Sequence, residues 1–501
     1  MLQTISATLW SFFGLGNNPL PDIPYASCFP TLGILSEKWS HDFYSTSMGA
    51  LFNAAVEEGI SWTLIGGVPL VYLRDPALIR QMFVKNAESI SRCGTQTRGP
   101  FGTGKRIVRN ALITADGDVA RNWHADMTRG FHNRPAMEGF HLKLISIATA
   151  HVQRLRDVEY GDNLQSLLQD YAMDAVWCLG LGLENASQCT REWHEPFAQY
   201  VQMAASMSYP LHHTVMNQMC GRKFEEPDYY ENNLHERIEN CILQLLEANS
   251  DLLNPEAVKT PEQMNFLQRI SHETGGSAAQ PITMDVLAHA RQIFSHGFPA
   301  PTLLLVWALR ELSLHPKVRQ KLREEIQGSD WHNRRELQLL SQLPYLNAVV
   351  NELLRLHPPI PTTARAIDRP FSMQTKSGAS FVIPVEARVA VSLAMLHQDP
   401  HVWGEDASQF RPERWDGLHP NTMEGECKYL PFLTGSRRCP CTGFVLQQVK
   451  VFLAMLLTEV ELEVTNASAV EKRLGPVSEP TKPLTFTVSP IKTDSNGYVE
   501  H

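Results

Sequence analysis

The chain has 501 residues, of which 43% are hydrophobic and 19% charged, so it can bury a large core and differs in composition from a disordered protein. Its net charge of −9 argues against nucleic acid as the main partner, because nucleic-acid-binding proteins carry a basic footprint. Nine cysteines are scattered from Cys28 to Cys441 without the density of a disulfide framework, which favours a reducing compartment.

Residues 1–30 form an apolar and proline-rich segment with the character of a membrane anchor. Residues 2–15 are largely apolar but are interrupted by Gln, Thr and Ser. About 20 predominantly apolar residues are needed to span a bilayer, so this stretch is a poor transmembrane helix. Trp10, Phe12 and Phe13 are suited to a lipid interface. We expect association with a membrane surface, with a disordered or packed N-terminus as the alternative.

Residues 31–501 have the pattern of one large domain, without repeats or a convincing linker. Thr63–Leu73 predicts a β-hairpin around a Gly-Gly turn. Asp75 and Pro76 then open a helix, since proline is favoured at the first helical position. From about 136 to 270 the pattern is helical, with short breaks.

The C-terminal half continues with helices and a minority of strands. The apolar segment 284–314 contains Pro299 and Pro301, which predict a kinked helix. Residues 379–396 predict strands with a turn, and residues 443–458 predict a final apolar helix. The expected fold class is therefore mainly α with minor β, an α+β arrangement in one large helical domain with small sheets.

A tight loop before the final helix carries the first chemical motif. Phe432, Gly435, Arg437 and Cys439 follow the spacing F-x-x-G-x-R-x-C, and an apolar helix comes next. Gly435 supplies backbone freedom in the turn. The N–H groups at the start of a helix stabilise negative charge on a cysteine sulfur. This loop resembles the heme-binding loop of the cytochrome P450 superfamily at every defined position.

A charged pair on a helix carries the second motif. Glu352 and Arg355 are three residues apart, so they share one helix face and can pair. Arg365 follows in the stretch PPIPTTAR, and Arg414 lies downstream in FRPERW. The order of these segments resembles the C-terminal third of a cytochrome P450 almost without gaps.

The resemblance extends back to about residue 75 and implies a heme-thiolate monooxygenase fold. It implies heme b as cofactor, with Cys439 as the axial iron ligand and Phe432 and Gly435 in its loop. Arg437 and Arg365 become partners of the heme propionates. Glu352, Arg355 and Arg414 are then structural residues that hold the loop. The implied partners are a small-molecule substrate and an NADPH-dependent reductase, at the cytosolic face of the endoplasmic reticulum membrane or, alternatively, in the cytoplasm.

The helix expected to face oxygen departs from the family pattern. Pro299 and Ala300 stand where the family has an acid and an alcohol, which together organise water and deliver protons. Thr302 comes two positions late, and His296 lies just upstream. Both are candidates for the catalytic role, and local packing or capping of the kink is the alternative for each.

Two further positions differ from the family. Aligning the helix near residue 120 places His124 at the position of an arginine that binds a propionate, and His124 can donate a hydrogen bond there. Cys441 replaces a glycine and is an alternative iron ligand. The spacing of Phe432, Gly435 and Arg437 in the motif, however, assigns the ligand position to Cys439.

Three functions remain open on these residues. The first is a monooxygenase that oxidises a mostly apolar small molecule in secondary metabolism, using O2 and electrons from the reductase. The second is a heme-thiolate isomerase or dehydratase whose substrate brings its own peroxide bond, which needs no proton-delivering pair. The third is a heme-binding protein without catalysis.

Overall fold

The computed structural model describes residues 49–65, 68–92, 108–132, 134–183, 185–189, 227–258, 264–385, 387–475 and 477–491. The anchor-like segment 1–30 lies outside these ranges, and its role and the division at residue 30 stay predictions. Among the described residues, no helix combines the length and the apolar character needed to cross a membrane.

Helices make up most of the described chain, after a helical stretch at residues 49–54. The longer ones are α1 Gly117–Phe131, α2 Arg134–Arg156, α3 Leu164–Leu181, α4 Pro227–Ala248, α5 Phe266–Glu273, α6 Met284–His296, α7 Pro299–Leu314, α8 Pro316–Gln327, α9 Pro344–Leu356 and α10 Thr442–Glu459. Shorter helices are Pro76–Arg80, Ala186–Cys189, Ser250–Leu253, Asp330–Arg334, Leu337–Ser341, Leu393–Leu396, Pro400–Trp403 and Pro420–Gly425.

The strands form small sheets at the edges of the helical body. They are β1 Ile60–Ile65, β2 Val68–Leu73, β3 Ile90–Ser91, β4 Tyr160–Gly161, β5 Thr362–Ile367, β6 Phe371–Gln374, β7 Ser380–Ile383, β8 Arg388–Ser392, β9 Val460–Val464, β10 Lys472–Leu474, β11 Ser478–Pro480 and β12 Phe486–Pro490. The largest sheet has the order β1-β2-β8-β5-β3, in which only the β2–β8 pair is parallel. A mainly helical fold with small sheets confirms the predicted fold class.

The local elements near the N-terminal sheet form as the sequence indicates. Strands β1 and β2 pair antiparallel, with Trp62 opposite Val71, and the Gly-Gly pair between them lies outside the described residues. Asp75 caps the next helix through a hydrogen bond that its carboxylate accepts from the Ala77 N–H (2.6 Å), and Pro76 is the first helical residue. Both the hairpin and the helix start are therefore confirmed.

The apolar segment 284–314 is two helices rather than one kinked helix. Helix α6 ends at His296, and α7 begins at Pro299, with Phe298 as its N-cap residue. A proline in the first turn of a helix costs little, because the first N–H groups have no intrahelical partner. Gly297 lies at the break, where a Cβ would approach the Ile293 carbonyl oxygen to 2.5 Å and Val176 to 2.8 Å.

The core lies where three long helices meet. Helix α7 packs against α3 and α10, and α10 also packs against α2 and α8. Trp177, Trp307 and Phe444, one from each of the three central helices, are at most 1% exposed. Burial of such large apolar side chains is the dominant stabilising contribution, and it fixes the platform on which the cysteine loop sits.

A buried ion pair joins the N-terminal sheet to the segment before the cysteine loop. The Arg74 guanidinium donates two hydrogen bonds to the Asp399 carboxylate, from Nε (2.7 Å) and Nη2 (2.9 Å). It also donates to the Phe52 carbonyl oxygen (3.2 Å) and lies 4.0 Å from the Phe52 ring centroid. The side chains are 8% and 3% exposed, so removing one partner leaves the other charge buried.

We expect Arg74→Ala to lower the free energy of unfolding by about 3 kcal/mol, because Asp399 would keep a buried, uncompensated charge. Urea unfolding followed by tryptophan fluorescence measures this change. Arg334 forms an ion pair with Glu336 at the surface, where the side chains are 58% and 49% exposed. Arg334→Ala is the control and should cost less than about 1 kcal/mol; equal losses in both variants would contradict the assignment.

Candidate heme-thiolate site

The cysteine loop is a tight turn that closes onto the start of α10. The Cys439 N–H donates to the Phe432 carbonyl oxygen (2.8 Å), across a short 3₁₀ turn at Gly435–Arg437. Gly435 has φ +73°, and a Cβ at this position would lie 2.5 Å from the Phe83 carbonyl oxygen. Both the backbone conformation and the close approach require glycine here.

Three groups beside the Cys439 sulfur partly offset the cost of burying a negative charge there. Burial is the largest influence and leaves the pKa of the Cys439 thiol raised, whereas the Cys441 N–H, the Arg438 charge and the Thr442 side chain each act to lower it. These groups and the first turn of α10 place partial positive charge beside the sulfur. The donor set therefore suits a thiolate bound to iron.

Cys441 lacks this setting. Burial raises the pKa of the Cys441 thiol well above its ordinary value, and the neighbouring Cys439 raises it further. No lowering cause acts on this thiol among the described residues. The contrast favours Cys439 over Cys441 as the sulfur that bears negative charge.

A buried carboxylate organises the segments behind the loop. Glu352 is fully buried and accepts two hydrogen bonds from Arg355, each 2.8 Å long. It also accepts from Arg414 Nε (3.4 Å), from Trp415 Nε1 (3.0 Å) and from the Arg411 backbone N–H (3.0 Å). The structure thus brings together the three residues expected from the sequence and adds Trp415.

Arg355 extends this network to the chain before the loop. Its Nη1 donates to the carbonyl oxygens of His397 (2.7 Å) and Ala407 (2.5 Å), and its Nη2 donates to that of Gln409 (3.0 Å). These carbonyls belong to irregular backbone that no helix or strand satisfies. The arginine therefore fixes the path of the chain between β8 and the cysteine loop.

His397 is a site residue that the sequence analysis did not single out. Its ring is fully buried, and its Nε2 accepts a hydrogen bond from the Leu430 N–H (2.8 Å). Burial and then the Arg355 charge lower the pKa of His397 to about 3, so the ring is neutral and Nε2 keeps its lone pair. Leu430 lies two residues before Phe432, so His397 links the Arg355 network to the loop. In the sequence, its position two residues before Asp399-Pro400 is the feature that could have marked it as a site residue.

Arg437 reaches from the loop to the N-terminus of α1. Its Nη2 donates to Asp116 (3.2 Å) and to the Ala115 carbonyl oxygen. The same carboxylate oxygen of Asp116 accepts the Arg92 N–H (2.7 Å). Asp116 therefore ties the end of β3, the start of α1 and the loop into one cluster, a link that only tertiary contacts reveal.

The other two candidate propionate partners are His124 and Arg365. His124, on α1, donates from Nε2 to the carbonyl oxygen of Arg438 (2.7 Å), the residue before the cysteine. Arg365 is 1% exposed on β5, donates to the Thr363 hydroxyl (2.8 Å) and lies 5.2 Å from the Phe83 ring centroid. His124 therefore contacts the loop directly, whereas Arg365 is linked to it through Phe83, whose carbonyl oxygen lies beside Gly435. Contact of either residue with a propionate stays a prediction.

The two distal candidates stand on opposite sides of the α6–α7 break. The Thr302 hydroxyl donates to the Phe298 carbonyl oxygen (2.8 Å), which also accepts the Thr302 N–H (3.1 Å). His296 Nδ1 lies 2.7 Å from the Ser295 hydroxyl oxygen. Burial and then the Arg92 charge lower the pKa of His296 to about 3. Through Arg92, His296 lies near the Asp116–Arg437 cluster, whereas no such link appears for Thr302 among the described contacts.

We expect His397→Phe to weaken the loop by about 1–3 kcal/mol, because it leaves the buried Leu430 N–H without an acceptor. The reduced–CO spectrum should then show a larger fraction without the thiolate-type Soret band. His397→Gln should recover part of that band, since its amide oxygen can accept the same N–H. The exposed neighbour His401 is the control; a spectrum equally altered in His401→Phe would contradict this role.

Comparison with known proteins agrees with this geometry. A family model described as Cytochrome P450 matches residues 47–488. The chain is 22% identical to cytochrome P450 72A397 of Kalopanax septemlobus, over 81% of this chain and 76% of the relative. It is 35% identical to cytochrome P450 monooxygenase claQ of Ampulloclitocybe clavipes, over 46% of each, and 30% identical to germacrene A hydroxylase of Tanacetum parthenium, over 48% and 47%. The chain therefore belongs to the cytochrome P450 family of heme-thiolate monooxygenases.

Proposed function

We propose that this monooxygenase oxidises a mostly apolar small molecule in secondary metabolism, with electrons from an NADPH-dependent reductase. The observation that supports this proposal most directly is the hydrogen-bond network of Glu352, Arg355 and Arg414 behind the cysteine loop. This network gives the thiolate a fixed support. Similarity to a germacrene A hydroxylase and to secologanin synthase 1 of Catharanthus roseus supports a biosynthetic role. We also propose that residues 1–30 attach the enzyme to the cytosolic face of the endoplasmic reticulum membrane.

In this proposal Cys439 is the axial ligand, Arg437 and Arg365 neutralise the propionates, and His124 supports the loop through its hydrogen bond to the Arg438 carbonyl oxygen. The two guanidinium groups can donate to carboxylates. When bound, heme supplies the oxidation chemistry at its iron, where an anionic sulfur ligand favours O–O cleavage.

In this proposal His296 replaces the acid–alcohol pair that is absent from the helix facing oxygen. The Ser295 hydroxyl donates to the Arg291 carbonyl oxygen (2.8 Å), so its oxygen accepts the proton of His296 Nδ1. That tautomer leaves a lone pair on Nε2. Because the lowered pKa keeps the ring neutral at working pH, Nε2 accepts a hydrogen bond from a water or a substrate hydroxyl. His296 would thus orient that water or hydroxyl group as a hydrogen-bond acceptor, and the protons that oxygen activation consumes would come from solvent water.

The isomerase or dehydratase remains the second candidate. The observation that favours it is the Thr302 hydroxyl, whose proton is held by the Phe298 carbonyl, beside a break where prolines occupy the acid region. A substrate with its own peroxide bond needs no proton delivery to O2.

We expect Cys439→Ser to abolish the thiolate-type Soret band of the reduced–CO complex, because the iron loses its sulfur ligand. Cys441→Ser is the matched control, two residues away in the same loop, and should retain the band. Loss of the band in Cys441→Ser with retention in Cys439→Ser would reverse the ligand assignment.

We expect purified enzyme with reductase to consume NADPH and O2 and to release an oxidised product. His296→Ala should lower the product formed per NADPH roughly tenfold or more, whereas Thr302→Val should change it less than about twofold. The reason is that His296 Nε2 can accept a hydrogen bond from a water or substrate hydroxyl, whereas the Thr302 hydroxyl already donates its proton to the Phe298 carbonyl. Turnover of a hydroperoxide without NADPH, and none of O2 with it, would instead support the isomerase.

A further inference from the structure

A pocket lies apart from the cysteine loop. It has a volume of about 240 Å³ and opens between the helical residues 49–54, the chain after β8 and the hairpin β10–β11. Its walls are mostly apolar, with two polar side chains among them: Phe52, Ala394, Met395, Gln398, Lys472 and Leu474. An apolar pocket with a few polar groups is the usual form of a small-molecule site.

Lys472 gives this pocket a cation without a paired anion. Its ammonium donates to the Leu356 carbonyl oxygen (2.5 Å), and among the described residues no carboxylate lies within ion-pair distance. Glu311 is the carboxylate whose charge acts on Lys472, but it is already hydrogen-bonded to Arg310 (2.6 Å) and His357 (3.0 Å). An ammonium has three donor hydrogens, so two are left for other acceptors. A partly buried charge of this kind gains from an anionic ligand.

The ammonium is held on a rigid support. The Trp307 indole of α7 lies 5.8 Å from Lys472 Nζ and donates to the Ser478 carbonyl oxygen (2.9 Å) on β11. The Ser478 N–H and hydroxyl in turn donate to the carbonyl oxygens of Pro359 (2.9 Å) and Pro358 (2.6 Å). A fixed hairpin means that little ordering is needed when a ligand binds.

We propose that this pocket binds a small amphiphilic carboxylate, with its anionic group on Lys472 and its apolar chain against Phe52, Met395 and Leu474. An apolar cavity of ~150 Å³ accommodates benzene, so the larger volume here suits a medium-length alkyl chain. The Lys472 ammonium selects the anion, and the apolar walls select the chain. This site is separate from the proposed oxidation and does not depend on it.

The test uses the full-length heme-loaded enzyme with imidazole at saturation, so that the iron is occupied and binding there is excluded. Calorimetric titration with octanoate should show binding, and octanol, which lacks the charge, should bind at least about tenfold more weakly. Lys472→Gln should weaken octanoate binding by a similar factor. Ala394→Leu, which fills the pocket, should abolish binding while leaving the thiolate-type spectrum intact.

The matched control is Lys376→Gln, because Lys376 is an exposed lysine paired with Asp75 (2.8 Å) and is not one of the pocket walls. It should bind octanoate as the wild type does. Equal affinity for octanoate and octanol, unchanged binding in Lys472→Gln, or release of octanoate by imidazole would each overturn the proposal.

The pH dependence adds a second readout. Burial lowers the pKa of Lys472 to about 8, with Glu311 raising it and Arg310 and Arg355 lowering it. Octanoate affinity should be constant from pH 6 to about 7.5 and fall up to roughly tenfold per pH unit above 8, as the ammonium loses its proton. The Lys472→Gln variant should show no such fall; a parallel fall in both proteins would contradict the role of Lys472.

Discussion

One buried carboxylate governs the arrangement of the C-terminal half. Glu352 is fully enclosed, yet it carries a charge that only hydrogen-bond donors can stabilise there. Arg355, Arg414, Trp415 and one backbone N–H supply those donors from two different segments of the chain. Because each donor must reach the same two oxygens, the helix α9 and the segment at 411–415 have little freedom to move apart.

That constraint passes outward to the cysteine. Arg355 holds the carbonyl oxygen of His397, and the His397 ring holds the N–H of Leu430. Leu430 is followed by Pro431 and Phe432, and the Phe432 carbonyl oxygen accepts the Cys439 N–H. Hydrogen bonds, joined through the short chain segment 430–432, thus connect the cysteine to a helix remote in sequence. Such a series stiffens the ligand before any cofactor arrives, as preorganised metal sites require.

The sequence predicted well those parts of the fold that depend on local chemistry. The hairpin at β1–β2, the capping by Asp75 and the pairing of Glu352 with Arg355 follow from short-range spacing, and the structure confirms all three. The family resemblance supplied the partner Arg414. The links through His397 and Asp116 were not predicted, because their partners are backbone groups far along the chain.

The segment 284–314 illustrates a different limit of sequence reasoning. Two prolines predict an interruption of the helix. Whether the helix bends or a new helix begins depends on what packs against the interruption. Here Gly297 lies against Val176 of α3, and a new helix starts at Pro299, where the Phe298 carbonyl accepts both the N–H and the hydroxyl of Thr302. The consequence for the site is that Thr302 serves the backbone, which spacing alone could not decide.

The contact between Gly435 and Phe83 has a consequence for how the chain reaches this structure. The wall of the cysteine loop includes the Phe83 carbonyl, and its anchors include Ala115 and Asp116, more than 300 residues earlier in the sequence. Contacts of such large sequence separation form slowly, because loop closure costs entropy before it brings stability. We therefore expect the cysteine loop to take its final form only after the segments near residues 83 and 115 have packed against it.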